Sequence, residues 1–566
     1  MFDISNKIKK LVKIAGNNLG LDLVVVNLEH PDDIQNGDYS TNVALAYAKA
    51  LGKAPREIAE QIKNEIVKSL PKEISKVEVA GAGFINFYLS REFFAESVGE
   101  IIKDEDFGKG KTLEGKMALF EYTDPNPFKA FHIGHLMANA VGETLSRIAG
   151  NQGAMVKRIC YQGDIGLHVA KTVWAMQKMR ADMPKDSASF EEKIKFMGDA
   201  YVLGTNTYDA DENIQKDIKD INKKLFEKSD TELQELYDRG REWSLLYFDL
   251  IYKKLGTKFD DFIFESEVAE LGKRTVEQNI PNVFTESEGA VIFKGEDHGL
   301  HTRVFLNSQR LPTYEAKELG NAMEKARRHK FDISIITSAS EIADYFKVLK
   351  CVMGLIDPEN AVKTHFVGHG MLRFADGKMS SRKGNIITGE SLIDGIKEVA
   401  MEKIEKETDD KEKISEAVAI AAIKYSILRQ SPGKDIIFDK EKALSFEGDS
   451  GPYLQYAFVR TQSLLEKADK ANLKAGIKNV SENVFNIEKF LYRFPEITTR
   501  AWEEKAPQLI VEYLTQLAGS FNNFYAQGVI VSDAPDAPYK VAITKAFSIV
   551  MKRGLEMLGI PVLTKM

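Results

Sequence analysis

His132, Gly134 and His135 stand in the run Pro125-Asn126-Pro127-Phe128-Lys129-Ala130-Phe131-His132-Ile133-Gly134-His135. The run joins the end of an apolar segment to the start of a helical one. Two imidazoles in the first turn of a helix can both donate to one phosphate group, and the free N–H groups of a helix N-terminus favour an anion. Gly134 would let the backbone come close to a nucleotide, where any Cβ would intrude. Taken alone, H-x-G-H serves equally well as a pair of helix-capping histidines. A second run, Asp376-Gly377-Lys378-Met379-Ser380-Ser381-Arg382-Lys383-Gly384, sets cations and hydroxyls on a glycine-flanked loop. Such a loop can close over a polyphosphate and neutralise charge on leaving pyrophosphate. Taken alone, it is more often an exposed basic turn.

The elements that must position these groups are legible from periodicity. An apolar strand at 117–122 leads into the H-x-G-H loop, a helix follows at 134–149, a strand at 155–161, and another helix near His168. That β-α-β-α order predicts a parallel sheet with crossover helices, in which ligands bind outside the carboxyl ends of the strands. A charged helical insert at about 190–256 interrupts the pattern, and alternation resumes from 289 to 374. Residues 1–90 predict a small α+β unit: a helix, a strand at 21–28, two helices, and two strands about a glycine turn at 76–89. Beyond 414 nearly everything has helical period.

Composition excludes several classes. With 566 residues the chain is too long for one core. With 43% hydrophobic and 28% charged residues it is globular rather than disordered. No stretch approaches the ~18 apolar residues of a membrane span, and the first ten residues carry no secretory signal, so a cytoplasmic location is expected. Cys160 and Cys351 form no C-x-x-C pair, which argues against a disulfide framework and a cysteine zinc site. The net charge of −7 argues against bulk nucleic-acid coating but leaves room for local basic patches.

Together the two motifs resemble the signature pair of class I aminoacyl-tRNA synthetases. Glu121-Tyr-Thr-Asp-Pro-Asn-Pro-Phe-Lys-Ala-Phe-His-Ile-Gly-His135 and Cys160-Tyr-Gln-Gly-Asp-Ile-Gly166 are similar to arginyl-tRNA synthetase sequences. So are 443–460, the ending Gly554-Leu-Glu-Met-Leu-Gly-Ile-Pro-Val562, and the N-terminal runs 37–42 and 79–86. The rivals are another class I synthetase and a catalytically silent tRNA-binding relative.

The resemblance implies an α/β multidomain chain: an N-terminal additional domain at 1–90, a Rossmann-type catalytic domain at 115–440, and an all-α anticodon-binding bundle at 441–566. It implies ATP-dependent ligation of L-arginine to tRNA(Arg) through arginyl-adenylate. Magnesium would travel with ATP; no protein-bound metal and a monomer are expected. His132 and His135 match ATP-binding histidines, Gly134 the glycine beneath adenosine, and Gly368 and Met371 the backbone that holds adenine. Lys378, with Ser380 and Ser381, matches the phosphate-binding loop, and Lys129 the upstream lysine that substitutes for it in many relatives. Glu121, Asp124, Asn126 and Tyr314 match the arginine site. Glu318 stands where an aspartate is common, and Ile342 where many relatives carry glutamine. Tyr453, Tyr456 and Arg460 are expected to meet the anticodon, and Asn36 and Tyr39 the tRNA elbow.

Overall fold

The computed structural model describes residues 4–375, 388–404 and 410–566. They divide into two compact units.

The first unit comprises residues 1–107, 457–495 and 516–553. Its N-terminal part carries strands β1 (Tyr39–Thr41), β2 (Ile74–Ala80) and β3 (Phe84–Leu89), with β3 central and antiparallel to both neighbours. The β2–β3 hairpin turns at the expected glycines. Helices Ile4–Asn18 and Pro55–Val67 bury Ile8, Val12, Ile58 and Ile62 against Ile85 and Phe87. The strand expected at 21–28 does not form. Leu21, Leu23 and Val26 are buried, but Val24 and Val25 are exposed, and the nearest ladder contact is a single bridge from Glu29 to Ser40. An apolar run without a partner edge packs as extended chain, because a strand exists only through its neighbours. The helical part is tied in by a buried carboxylate: Glu488 accepts from Arg91 at 2.7 Å and from the Tyr539 hydroxyl.

The second unit comprises residues 108–456, 496–515 and 554–566. Its centre is a five-stranded sheet of β4 (Met117–Glu121), β5 (Met155–Gln162), β6 (Asp261–Phe264), β10 (Ile333–Ala339) and β11 (Thr364–His369). Their order is β11-β10-β4-β5-β6, and every pairing is parallel. The chain winds one way from β4 through β5 to β6 and the other way through β10 to β11, so the order reverses beside β4, where a crevice opens at the carboxyl ends. The Ile133–Asn151 helix is buried on nearly every side. Its internal polar groups are partnered: Asn139 donates to Thr123 Oγ1 at 3.0 Å, and Glu143 accepts from Arg147 Nε at 2.7 Å.

Alternation after the insert resumes differently from expectation. Strands β7 (Thr285–Ser287), β8 (Ala290–Phe293) and β9 (Arg303–Leu306) form an antiparallel meander, not another crossover. The connections, 288–289 and 294–302, are shorter than the crossover of about a dozen residues that a parallel return requires. Two further short strands, β12 (Leu372–Phe374) and β13 (Ile436–Phe438), pair in parallel, so the stretch after 414 is not wholly helical. Among the described residues, no helix is long and apolar enough to cross a membrane.

Candidate active site

The loop from β4 to the Ile133–Asn151 helix holds strained backbone. Thr123, Asp124 and Phe128 have φ of 79°, 48° and 67°. L-residues adopt this region at a cost, so surrounding contacts must over-determine it. They do. Thr123 Oγ1 accepts from Asn139, Asp124 Oδ1 accepts from Tyr161 N at 2.8 Å, and Phe128 N donates to Ser244 Oγ at 3.0 Å.

At the helix start, His132 is the N-cap. Its Nδ1 accepts from His135 N at 3.4 Å, and His135 Nδ1 accepts from His132 N at 3.2 Å. The rings stack with centroids 3.4 Å apart. The capping reading of H-x-G-H is what the geometry displays, and capping through Nδ1 leaves each proton on Nε2, outside the cap. Burial pushes both imidazoles below their ordinary range, His135 furthest, with neighbouring positive charge adding to the shift. Both are neutral donors at physiological pH. The first reason for Gly134 is internal. A Cβ there would lie 2.9 Å from His132 Cε1, so the glycine makes room for the capping ring.

Sequence reading missed a third imidazole. His369, buried at the end of β11, presses on both histidines electrostatically, and burial lowers its own pKa. Its place beside Gly368 and Gly370 was the available signal. Gly368 pairs with Ser338 of β10, and a Cβ on it would strike Ser340 Oγ at 2.5 Å. Met371 is exposed, and its backbone is held by Asp435 and Ile436. Lys378, Ser380 and Ser381 lie outside the described residues. Thr388 bridges His132, and Gly389 N donates to Phe131 O at 2.7 Å.

On the other face of the crevice, acceptors gather. Glu121 at the end of β4 accepts from Lys325 Nζ at 2.6 Å and Asn321 Nδ2 at 3.0 Å, all buried. Glu318 accepts from the same Asn321 amide at 3.1 Å. Burial, with Glu121 adding repulsion, raises Glu318 to about 8 and holds Asp124 well above its ordinary value. Lys317 pairs with Glu265 and lies 4.5 Å from the ring centroid of Tyr314, which is 65% exposed. Asn126 Oδ1 accepts from Gly163 N at 3.0 Å, which leaves its NH2 as the free donor. Glu121, matched to the arginine site, already has an internal cation, whereas among the described residues neither Glu318 nor Asp124 forms an ion pair. Ile342 sits on a short turn and offers no polar group.

The insert is part of the site. Phe128 belongs to its apolar core, with Trp174, Met197, Leu236 and Trp243. A Cβ on Gly240 would meet the Phe128 ring at 2.3 Å. Asp164, fully buried, accepts from Tyr237, from Arg241 Nε at 3.0 Å and from Ser266, and so ties the insert to the end of β5. A cavity of about 320 Å3 lies between insert and loop, lined by Lys129, His132, Met197, Tyr201, Tyr247 and Thr388. Burial lowers the Lys129 pKa, opposed by Glu265.

Away from this crevice, the expected tRNA contacts divide. Asn36 is exposed at the end of a one-turn helix capped by Asp33. Tyr39 is 1% exposed, packed against His30 and Tyr492. It is a core residue whose ring cannot stack on a base. Tyr456 is exposed, Tyr453 half-buried, and Arg460 donates to Asn522 at 2.8 Å and lies over the Tyr525 ring.

The family model for "tRNA synthetases class I (R), catalytic domain" matches residues 97–440, that for the "DALR anticodon binding domain" residues 454–566, and that for the "Arginyl tRNA synthetase N terminal domain" residues 3–89. An arginine–tRNA ligase of Clostridium botulinum is 31% identical, covering 100% of both chains. One from Treponema pallidum is 30% identical over 95% of this chain and 94% of its own. The arginyl-tRNA synthetase structure from Thermus thermophilus shares the fold, with a TM-score of 0.81 at 24% identity over 100% of both chains. The catalytic-domain match spans more than half of the chain and the relatives match it end to end, so the chain belongs to the arginyl-tRNA synthetases of class I.

Proposed function

We propose that this site ligates L-arginine to tRNA(Arg) in two steps. The arginine carboxylate attacks the α-phosphorus of ATP, the bond to the β-phosphate breaks, and arginyl-adenylate and pyrophosphate form. A terminal ribose hydroxyl of the tRNA then attacks the arginyl carbonyl, and AMP leaves. The first step needs no general base, because the carboxylate is already a nucleophile. Catalysis is positioning plus neutralisation of phosphate charge. The Nε2–H groups of His132 and His135 donate to phosphate oxygens at the helix N-terminus. Lys129 and Lys378 meet the polyphosphate, with Ser380 and Ser381 beside it, and magnesium accompanies ATP. Adenine lies along the backbone at Gly368 and Met371. Asn126 donates to the arginine carboxylate, while Glu318 and Asp124 face the guanidinium, whose five donors lie in one plane.

The observation that carries this reading is the meeting, at the carboxyl end of the central strand β4, of reciprocally capped imidazoles and an acceptor cluster too large for its internal cations. Incubation of total tRNA with ATP and labelled arginine tests it. Arginine should enter the tRNA fraction; charging with another amino acid instead would refute the reading.

Residues 1–90 would meet the tRNA elbow through Asn36, and 441–566 the anticodon through Tyr453, Tyr456 and Arg460, since loop bases are read by stacking and by hydrogen bonds to splayed edges. At a net charge of −7, phosphate contacts depend on local Lys and Arg. The affinity for tRNA should therefore fall linearly in log–log form as salt rises. A filter-binding titration that stayed flat with salt would remove the phosphate contacts.

A further inference from the structure

We propose that Asn321 is a direct arginine-recognition residue, with its Oδ1 accepting an N–H of the substrate guanidinium while its Nδ2 holds Glu318 and Glu121. The inference rests on the arginine-ligation reading above.

Tyr314, Glu318, Asn321 and Lys325 fall at positions i, i+4, i+7 and i+11 of the Tyr314–Arg328 helix, and so share one face. Asn321 is fully buried. Its amide orientation is dictated by the network: Nδ2 lies 3.0 Å from Glu121 Oε2 and 3.1 Å from Glu318 Oε1. A flip would set a carbonyl oxygen against the Glu121 carboxylate, which lies 3.0 Å away. Oδ1 is thereby turned away from that carboxylate, and it is a buried acceptor with no hydrogen-bond partner. Such atoms are rare because they are destabilising, and they gather where a ligand completes the pairing.

The surroundings decide the kind of ligand. The Asn321 oxygen has no partner, and among the described residues neither Glu318, bonded to the Asn321 amide, nor Asp124, at the end of the adjacent strand, forms an ion pair. The internal cation, Lys325, is already committed to Glu121. A donor-rich planar cation satisfies this set. An ammonium offers only three donors in a compact head and would leave the more distant acceptor unpaired. Asn321 is thus a determinant of arginine over lysine as well as a binding group.

The test compares arginine with Nω-methylarginine as substrates in tRNA charging, for the wild-type protein, Asn321→Ala and Asn321→Ser. Asn321→Ala should raise the KM for arginine roughly 10- to 100-fold, the worth of a hydrogen bond to a charged donor. The KM for ATP should stay within about twofold, since the nucleotide lies on the other face. Removing the amide also opens space where the methyl group points, so the preference for arginine over its methylated analogue should shrink about tenfold or more. Equal losses for both substrates would make Asn321 a positioning residue for Glu318 and overturn direct contact. An arginine KM within about threefold of wild type would overturn any role. Should the alanine variant fail to fold, the serine variant is judged by the same two criteria. Failure of the wild-type protein to charge tRNA with arginine would instead strike the underlying reading.

Discussion

Replacing His132 with alanine is expected to lower the turnover of arginylation by ~1–3 orders of magnitude while tRNA affinity persists. The magnitude follows from removing one preorganised donor to developing phosphate charge. The alanine variant also removes a helix cap, which costs about 0.5–2 kcal/mol in stability. The two effects separate with His132→Asn. Asparagine is a good N-cap and keeps an acceptor for the His135 N–H, but it lacks the outward Nε2–H. Stability near wild type with turnover as low as in the alanine variant would assign His132 to chemistry. Wild-type turnover in the asparagine variant would reduce it to a cap. Because both imidazoles are neutral donors held below their ordinary range, no loss of activity from their titration is expected near neutral pH.

The second large effect concerns Glu318. Glu318→Gln preserves shape but removes the charge that the guanidinium needs, and it should raise the KM for arginine roughly 100-fold. The pH dependence supplies an independent check. In the arginine-free pocket, burial and then the neighbouring Glu121 hold Glu318 at about 8, so the carboxyl is protonated at neutral pH. A bound guanidinium favours the carboxylate, and arginine binding below that value therefore releases a proton. The sign follows: the KM for arginine should fall as pH rises, by about tenfold per unit at most, and level off above the pKa. Ile336, Phe346 and Leu349, around a cavity of about 40 Å3 that Glu318 also lines, contribute apolar wall to the burial behind the shift. A flat arginine KM between about pH 6 and 9 in the wild-type protein would show that Glu318 is ionised before arginine arrives.

Much of the fold was legible because its determinants are local. The alternation of apolar strands and amphipathic helices announced the parallel sheet, and glycine placement located the β2–β3 hairpin. The run 21–28 misled because its apolar pattern was real but no partner edge was present. Tyr39 misled in the same way: a tyrosine beside an exposed loop reads as a contact residue until the ring is found under His30 and Tyr492. The insert's charged faces concealed an inner core that takes up Phe128 and fixes the H-x-G-H loop.

By itself the sequence determined the chemistry on offer: two imidazoles at a helix start, an amide and carboxylates at a strand end, and a cationic loop far downstream, in a pattern similar to one family over the whole chain. Only the tertiary structure decided how that capacity is divided. It commits Glu121 to Lys325, leaves Asn321 Oδ1 without a partner, brings His369 to the histidine pair, and sets Thr388 against His132. The physical reason is that a residue's type is set by the chain, whereas its protonation and its pairing depend on neighbours hundreds of residues away, and those are chosen only when the sheet orders its strands.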